Sequence, residues 1–197
     1  MPIDIHGLTV YNNINETNTN QIINQEVIIM TATTLLKVFV TNLGKYNEGE
    51  LIGEWVSLPV DENELEEVLE RIGINEEYEE YFITDYETDL DGLKVGEYSN
   101  ISELNELAEQ LADLDKYDLE KVGAIIEAYG AGLQEAIENI DDYTYYSGKT
   151  LEDVAYEIVE ECYELPEIAQ RYFDYEAFAR DLSFDGYTET TNGVIYQ

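Results

Sequence analysis

Residues 35–42, LLKVFVTN, begin the part of the chain that decides its fold. This stretch is rich in β-branched residues, as is ELIGEWVSLPV at 50–60, and the turn-like segment GKYNEGE joins the two. A third stretch, EEYEEYFITDYET at 76–88, has the same character at its centre. The three stretches therefore predict three β-strands.

A helix is predicted between the second and third strands. Asp61 is its expected N-cap, and the apolar residues that follow, as far as about Ile72, have helical spacing. The order of elements is thus β-β-α-β, which predicts an N-terminal α/β domain at residues 34–92.

A central helical domain is predicted at residues 93–140. Its first helix has Ser102 as the expected N-cap, a second helix is expected at 119–129 before Gly130, and a short third at 133–140. On a helical wheel, one arc of the first helix is apolar: Ile101, Leu104, Leu107, Ala108, Leu111 and Leu114. The opposite arc is acidic: Glu103, Glu106, Glu109 and Asp113.

A C-terminal α/β domain is predicted at residues 141–197. It opens with a predicted strand, DDYTYYSG, after which Thr150 and Asp153 have the spacing of a capping box. The helix that follows has an apolar face: Leu151, Val154, Ala155, Ile158 and Cys162. Its other face is acidic: Asp153, Glu157, Glu160, Glu161 and Glu164.

The last predicted elements are a helix and a hairpin of two strands. Beyond Pro166, DYEAFARDL predicts a further helix, and the final strands are expected to form a hairpin that turns at Asn192 and Gly193. The whole pattern predicts an α+β fold, elongated, with three small domains in series. Residues 1–33 contain three acids, no Lys or Arg, and the single histidine, His6, and they predict a weakly structured N-terminal extension.

The composition predicts a soluble protein of the cytoplasm. A single cysteine leaves no internal disulfide and suits a reducing compartment. No stretch approaches the ~18 consecutive apolar residues of a membrane span, and the chain does not open on a basic region followed by an apolar run. We therefore expect no membrane contact.

The charge of the chain is its most informative property. It has 45 acidic residues against nine basic ones and a formal net charge of -36, while 44% of its residues are hydrophobic and can supply packed cores. Such an excess of one charge repels itself, and proteins carry it for solubility or for a strongly cationic partner. A groove built to hold nucleic acid is such a partner, whereas DNA itself and anionic lipid are not.

The size of this charge also predicts a shape. Duplex DNA carries about one charge per 1.7 Å of axis, so a charge of -36 corresponds to about 60 Å of duplex, or about 18 base pairs. A compact globule of this length would be only about 40 Å across. A body that matched the charge density of DNA would therefore be elongated.

The sequence lacks the catalytic residues that most enzyme classes need. One histidine leaves no His-based general base, triad or His-ligated metal site, and no phosphate-binding glycine motif is present. Cys162 lies on the apolar face of its helix, so we expect a buried packing residue rather than a nucleophile. Carboxylate pairs arise by chance among 45 acids and carry little information about hydrolysis. We predict a protein without catalytic activity, cofactor or metal.

Two other classes of function remain open. One is an acidic binding module, or chaperone, for another basic DNA-binding protein. The other is a divalent-cation-binding protein, since residues 87–92 place acids at loop positions 1, 3 and 5 and glycine at position 6, as in an EF-hand. Position 1 is Glu87, however, position 12 falls on Tyr98, and the preceding segment predicts a strand, so a true EF-hand is not expected.

Three blocks of the sequence resemble the ArdA antirestriction proteins: KVFVTNLGKYNEGELIGEWVSLPV, EEYEEYFITDYE, and DYEAFARDL before a closing glycine-containing strand. The similarity covers about residues 36–197 and is close to members carried on conjugative transposons of Gram-positive bacteria. It implies a curved, three-domain protein that forms a homodimer through its C-terminal domain and is not an enzyme. It also implies carboxylates that mimic the phosphates of bent B-form DNA in the DNA site of Type I restriction-modification enzymes, at their specificity and methyltransferase core. Restriction, and often modification, would then be inhibited.

The resemblance and the helical spacing together predict the residues of this DNA-mimic surface. The block that matches the acidic motif of the family is Glu76, Glu77, Glu79, Glu80, Asp85, Glu87 and Asp89. Helical spacing adds Glu103, Glu106, Glu109, Asp113, Asp153, Glu157, Glu160 and Glu161. Possible dimer contacts, which could equally belong to the core, are Tyr172, Phe173, Tyr175 and Phe178.

Overall fold

The computed structural model of the chain describes residues 35–197. The predicted N-terminal extension lies outside the described residues. The strands are β1 Leu36–Asn42, β2 Gly53–Leu58, β3 Tyr81–Glu87, β4 Thr144–Ser147, β5 Thr188–Thr190 and β6 Gly193–Tyr196. The helices are α1 Leu43–Asn47, α2 Glu62–Arg71, α3 Ile101–Ala112, α4 Lys116–Tyr129, α5 Leu133–Glu138, α6 Leu151–Cys162, α7 Glu167–Arg171 and α8 Tyr175–Phe184. This mixture of helices and small antiparallel sheets confirms the predicted α+β class.

The first sheet contains the three strands predicted at the start. Their order is β2-β1-β3, and both neighbouring pairs are antiparallel. Strand β1 lies in the centre, and its alternate residues Leu36, Val38 and Val40 are fully buried on the inner face. Leu65 and Val68 of helix α2 belong to the same buried cluster, so this helix covers the inner face.

Helix α2 begins at its predicted cap. The Asp61 carboxylate accepts a hydrogen bond from the Asn63 N–H at 2.9 Å, which satisfies one of the free N–H groups of the first turn. The segment predicted as a turn before β2 contains the short helix α1. Asn42, which is fully buried, accepts from the Lys45 N–H at 2.9 Å and donates to the Ile72 carbonyl at 3.2 Å. Its side chain therefore links the start of α1 to the end of α2.

Two central helices begin earlier than predicted. The N-cap of α3 is Asn100 rather than Ser102, because the Asn100 side chain accepts from the Ser102 N–H at 2.9 Å. Helix α4 likewise begins after Asp115, whose carboxylate accepts from the Asp118 N–H at 2.9 Å. The predicted end at Gly130 is confirmed, with a left-handed φ of 67°. The apolar arc of α3 is buried or half-buried and its acidic arc is exposed, as predicted.

The second sheet has the order β4-β6-β5, again antiparallel. Its central strand, β6, contributes to the core on both faces. Ile195 packs with Tyr145 in the cluster that contains the central helices, and Val194 packs with helices α6 and α8. The strand is therefore buried on both sides, which explains its continuous apolar run.

The closing hairpin forms as predicted, but its turn lies one residue earlier. Thr191 and Asn192 link the strands, and Gly193 is the first residue of β6, paired with Thr190. A Cβ atom at Gly193 would lie 2.3 Å from the carbonyl oxygen of Tyr146. The glycine is thus required by the close approach of β4 and not by the turn.

The prediction that Cys162 is buried is wrong, because its side chain is exposed. Cys162 is the last residue of α6, and the buried residues of this helix are Val154, Ala155 and Val159. Periodicity places Cys162 on the same face, but the neighbouring elements cover that face only as far as Val159. The predicted capping box at the start of the helix is confirmed.

Buried apolar side chains form two clusters in the described part of the chain. The larger one extends from the first sheet through the central helices to Tyr145 and Ile195. The smaller one joins α6, α8 and the other face of β6. The larger cluster includes residues on both sides of each predicted domain boundary, and the division into three domains stays a prediction.

Candidate functional site, an acidic surface

The acidic loop before β3 is held by polar neighbours. The Asn75 side chain accepts from the N–H groups of Glu77 and Tyr78, at 2.8 and 3.1 Å. The Tyr78 hydroxyl donates to the Glu48 carboxylate at 2.9 Å, and the Lys45 ammonium lies 4.4 Å from the centre of the Tyr78 ring. Hydrogen bonds from Lys45 and then Tyr78 lower the pKa of Glu48. These contacts fix a tight turn whose exposed acids are Glu76, Glu77, Glu79 and Glu80.

Strand β3 places two of the predicted acids on the outer face of the first sheet. Asp85 lies directly across from Phe39 of β1, and Glu87 lies across from Lys37. Glu87 and Lys37 form an ion pair at 3.3 Å, whereas Asp85 has no basic partner among the described residues. Asp89 is exposed in the bend that follows the strand. Neither Asp85 nor Asp89 is therefore neutralised by a Lys or Arg within the described residues.

Helix α3 presents its acidic arc to solvent, as predicted. All four side chains are exposed: Glu103, Glu106, Glu109 and Asp113. The helix contains no Lys or Arg, so neighbouring carboxylates repel one another instead of forming pairs along the helix. Burial of the opposite apolar arc offsets that repulsion. An acidic arc without Lys or Arg therefore lowers the stability of the helix and leaves its negative charge uncompensated.

The acidic arc of α6 is only partly free. The Asp153 carboxylate accepts from the Thr150 N–H at 2.9 Å, and the backbone and side chain of Thr150 lower the pKa of Asp153. Glu157 is half-buried and forms an ion pair with Lys149, and this contact raises the pKa of Lys149. Glu160 and Glu161 are exposed, with no basic partner in the described part. Two of the four predicted residues therefore have structural partners.

Cationic side chains are too few to neutralise this surface. The chain has nine Lys and Arg for 45 acids. Among residues 35–197, only Glu87 and Glu157 of the fifteen predicted acids lie within ion-pair distance of a Lys or Arg. Arg71 contacts three other carboxylates at 2.9, 3.1 and 3.6 Å, those of Glu54, Glu64 and Glu67. Most of the predicted acids thus contribute to an uncompensated negative field.

The sequence prediction omitted helix α2, which carries a similar pattern. Glu62, Glu66 and Glu70 are exposed and have no basic partner in the described residues. Their spacing of four residues places them along one line of the helix. The helical period that gives α3 its acidic arc also gives α2 this line of glutamates, so the signal was present in the sequence.

The four aromatic residues predicted as possible dimer contacts differ in exposure. The Phe173 ring lies 4.9 Å from the Tyr175 ring and 5.9 Å from the Phe178 ring, between ring centres. These three are half-buried, and Tyr175 also contacts Tyr156. Tyr172, by contrast, is 78% exposed. Of the four, only Tyr172 extends fully into solvent.

Within residues 35–197, no group of three or more His, Cys, Asp or Glu side chains is placed to hold a metal ion. The loop at 87–92 follows strand β3, whereas an EF-hand loop follows a helix. In the same part of the chain, every helix is too short or too polar to cross a bilayer.

The fold and this surface define an acidic α+β protein whose exposed carboxylates mostly lack cationic partners. A family model described as "Antirestriction protein (ArdA)" matches residues 38–196. The chain therefore belongs to the ArdA family of antirestriction proteins, as its three sequence blocks predicted. No curated protein matches it.

Proposed function

We propose that this antirestriction protein mimics B-form DNA and occupies the DNA-binding site of a Type I restriction-modification enzyme. In the specificity and methyltransferase core of that enzyme, it would block restriction and modification together, since both need bound DNA. The observation that carries the proposal is the set of exposed carboxylates on β3, α3 and α6 that have no Lys or Arg beside them in the described residues.

The proposed binding has a simple physical basis. A DNA-binding cleft holds Lys and Arg side chains that neutralise phosphates and displace counterions. Carboxylates at a comparable density compete for the same cations, so the protein binds tightly at low salt and without regard to DNA sequence. The apolar core beneath each acidic arc keeps the carboxylates on fixed elements, so little conformational entropy is lost on binding.

The proposal also includes a homodimer that forms through the C-terminal domain. Exposed apolar side chains lie on and beside helix α7, where Ile168 is 69% exposed and Tyr172 is 78% exposed. Two-fold pairing of such a patch would bury apolar surface and extend the acidic surface along both copies. The resemblance of the sequence further suggests a mobile element such as a conjugative transposon, and action in the cytoplasm where incoming DNA meets the restriction enzyme.

A competition experiment tests the proposed site of action. A purified Type I methyltransferase core is bound to a fluorescent target duplex, and the protein is titrated in at about 50 mM and about 200 mM salt, the range over which phosphate contacts weaken strongly. We expect displacement of the duplex at near-stoichiometric protein, with much weaker displacement at the higher salt.

Polyglutamate of matched total charge is the control, since it carries the charge without the fold. If polyglutamate displaces the duplex equally well, the arrangement of carboxylates has no role. If the folded protein displaces nothing at low salt, it does not bind at the DNA site, and a different basic partner becomes the better hypothesis.

A further inference from the structure

The outer face of the first sheet is aromatic. Side chains alternate between the two faces of strand β1, so Val38 and Val40 are buried on the inner face. Phe39 lies between them in the sequence and points to the outer face, beside Trp55 of β2. The two rings pack edge to face, with 5.3 Å between their centres. Within residues 35–197, helix α2 packs on the inner face, and both rings on the outer face are only partly covered.

This face forms one side of a groove of about 570 Å³. The Tyr46 ring of α1 packs edge to face against the Phe82 ring, with 5.2 Å between their centres. Tyr46 is 51% exposed. Leu51, in the segment before β2, is 68% exposed at the same groove. Both side chains therefore add exposed apolar surface to the groove.

Gly53 leaves room for the Phe39 ring. A Cβ atom at Gly53 would lie 2.7 Å from the ring and 2.6 Å from the Val40 carbonyl oxygen. The Phe39 ring therefore lies close against the backbone at Gly53, next to Trp55.

The same groove contains free negative charge. Asp85 lies across from Phe39, and Glu97 is placed beside β3 by a hydrogen bond from the Ile83 N–H to the Glu97 carbonyl at 2.7 Å. Both side chains are exposed, and neither has a Lys or Arg within ion-pair distance in the described residues. At the edge of the face, the Lys37 ammonium already lies 4.7 Å from the centre of the Trp55 ring. This contact shows that the ring face accepts a cation.

We propose that this groove binds an arginine side chain of a basic protein surface. The guanidinium packs against the Phe39 and Trp55 rings with its plane along one of them, and its N–H groups donate to Asp85 and Glu97. The inference rests on the proposed function, because the DNA-binding cleft of the restriction enzyme is the basic surface that would supply the arginine.

Arginine fits the groove better than other ligands do. Its planar, weakly hydrated cation stacks on aromatic rings and donates several hydrogen bonds in fixed directions, whereas the lysine ammonium is a strongly hydrated point charge. A purely apolar ligand would bury Asp85 and Glu97 without partners, which is costly. Nucleic acid is excluded by the charge of the chain.

The chain offers a direct reporter, because Trp55 is its only tryptophan. A hexaarginine peptide is titrated into the full chain while Trp55 emission is recorded, and hexalysine of equal charge is the comparison. We expect a saturable change with hexaarginine and a clearly smaller one with hexalysine, since only the guanidinium stacks well.

A matched pair of variants separates this groove from the general charge. The double variant D85N/E97Q should weaken hexaarginine binding about tenfold, because each new side chain keeps a neutral acceptor oxygen but loses the exposed charge that pairs with the guanidinium. The control double variant D141N/E135Q removes the same charge from two exposed acids elsewhere and should change binding by less than about twofold. All four changes are on exposed side chains, so the variants are expected to fold.

Three results would overturn the proposal. The first is equal weakening of hexaarginine binding in both double variants. The second is an equal change of Trp55 emission with hexaarginine and hexalysine. The third is shielding of Trp55 from the neutral quencher acrylamide in the free chain. Shielding would mean that another part of the chain or a second copy already covers the face. Because these titrations contain no restriction enzyme, their outcome is independent of the DNA competition, and either proposal can fail alone.

Discussion

The side-chain amide of Asn105 pairs with both backbone groups of Val60. It accepts from the Val60 N–H at 2.8 Å and donates to the Val60 carbonyl at 2.9 Å. Asn105 is 5% exposed on the otherwise apolar inner side of α3, and Val60 follows strand β2. This one side chain therefore fastens the first sheet to the first central helix.

We expect the substitution Asn105→Ala to lower the free energy of unfolding by about 2–3 kcal/mol, because it leaves two backbone groups without partners. Urea denaturation of the two proteins measures the difference. The control is Gln110→Ala on the exposed side of the same helix, which should change stability by less than about 0.5 kcal/mol. Equal stability of the Asn105 variant and the parent would show that water replaces the side chain at no cost.

Binding through many carboxylates predicts that single changes have little effect. Glu109→Gln should weaken inhibition of the restriction enzyme by less than about threefold, since one exposed charge contributes little. Neutralising the whole arc of α3, as E103Q/E106Q/E109Q/D113N, should weaken it about 100-fold and flatten its dependence on salt. Competition against labelled duplex measures both. Complete loss of activity in the folded Glu109 variant would contradict a collective mechanism.

The proposed dimer predicts a specific effect at Tyr172. Tyr172→Glu should weaken self-association at least about tenfold, because an exposed aromatic anchor is replaced by a charge. Sedimentation at several protein concentrations measures the association. Tyr98→Glu is a matched control, since Tyr98 is 75% exposed at a distant position in the sequence. A parent protein that is monomeric at all concentrations, or equal dissociation of both variants, would refute this contact.

Alkaline pH should reveal the buried hydroxyl of Tyr145. Burial, and then the charge of Glu120, raise the pKa of Tyr145 to about 12 from its ordinary 10.0. Because the folded-state pKa is the higher one, the neutral phenol stabilises the fold fully below pH 10.0, and this contribution is lost as the pH rises to about 12. The hydroxyl also donates to the Asn192 carbonyl at 2.9 Å.

The matching measurement is urea denaturation between pH 9 and about 12 for the parent and Tyr145→Phe. The variant has no hydroxyl to ionise, so its stability should fall less steeply over this range. Tyr98→Phe, at an exposed position, should follow the parent. Parallel curves for the parent and the Tyr145 variant would show that Tyr145 ionises without cost to the fold.

Local patterns in the sequence were sufficient for most elements of secondary structure. A cap such as Asp61, or a capping box such as Thr150 with Asp153, acts over three residues, and both lie where they were predicted. The acidic arc of α3 was also predictable, because one helical period fixes which side chains share a face. The excess of acids over bases depends on no contact at all.

Contacts between distant segments decided the rest. Whether a carboxylate is free depends on which cation reaches it, as Lys149 reaches Glu157 and Lys37 reaches Glu87, 50 residues away. The role of Asn105 depends on a backbone segment 45 residues away. Exposure of Cys162 was unpredictable for the same reason, since the length of a covered face is set by its neighbours.

By itself, the sequence determined the family, through the resemblance of its three blocks. It also determined the excess of negative charge and the faces of the helices, because these follow from composition and local periodicity. Only the tertiary structure decided which carboxylates are neutralised by ion pairs. It also decided that Phe39 and Trp55 meet beside Asp85 on the outer face of a sheet. The physical reason is that strand pairing brings together residues from three separate stretches of chain, and no local pattern encodes their register.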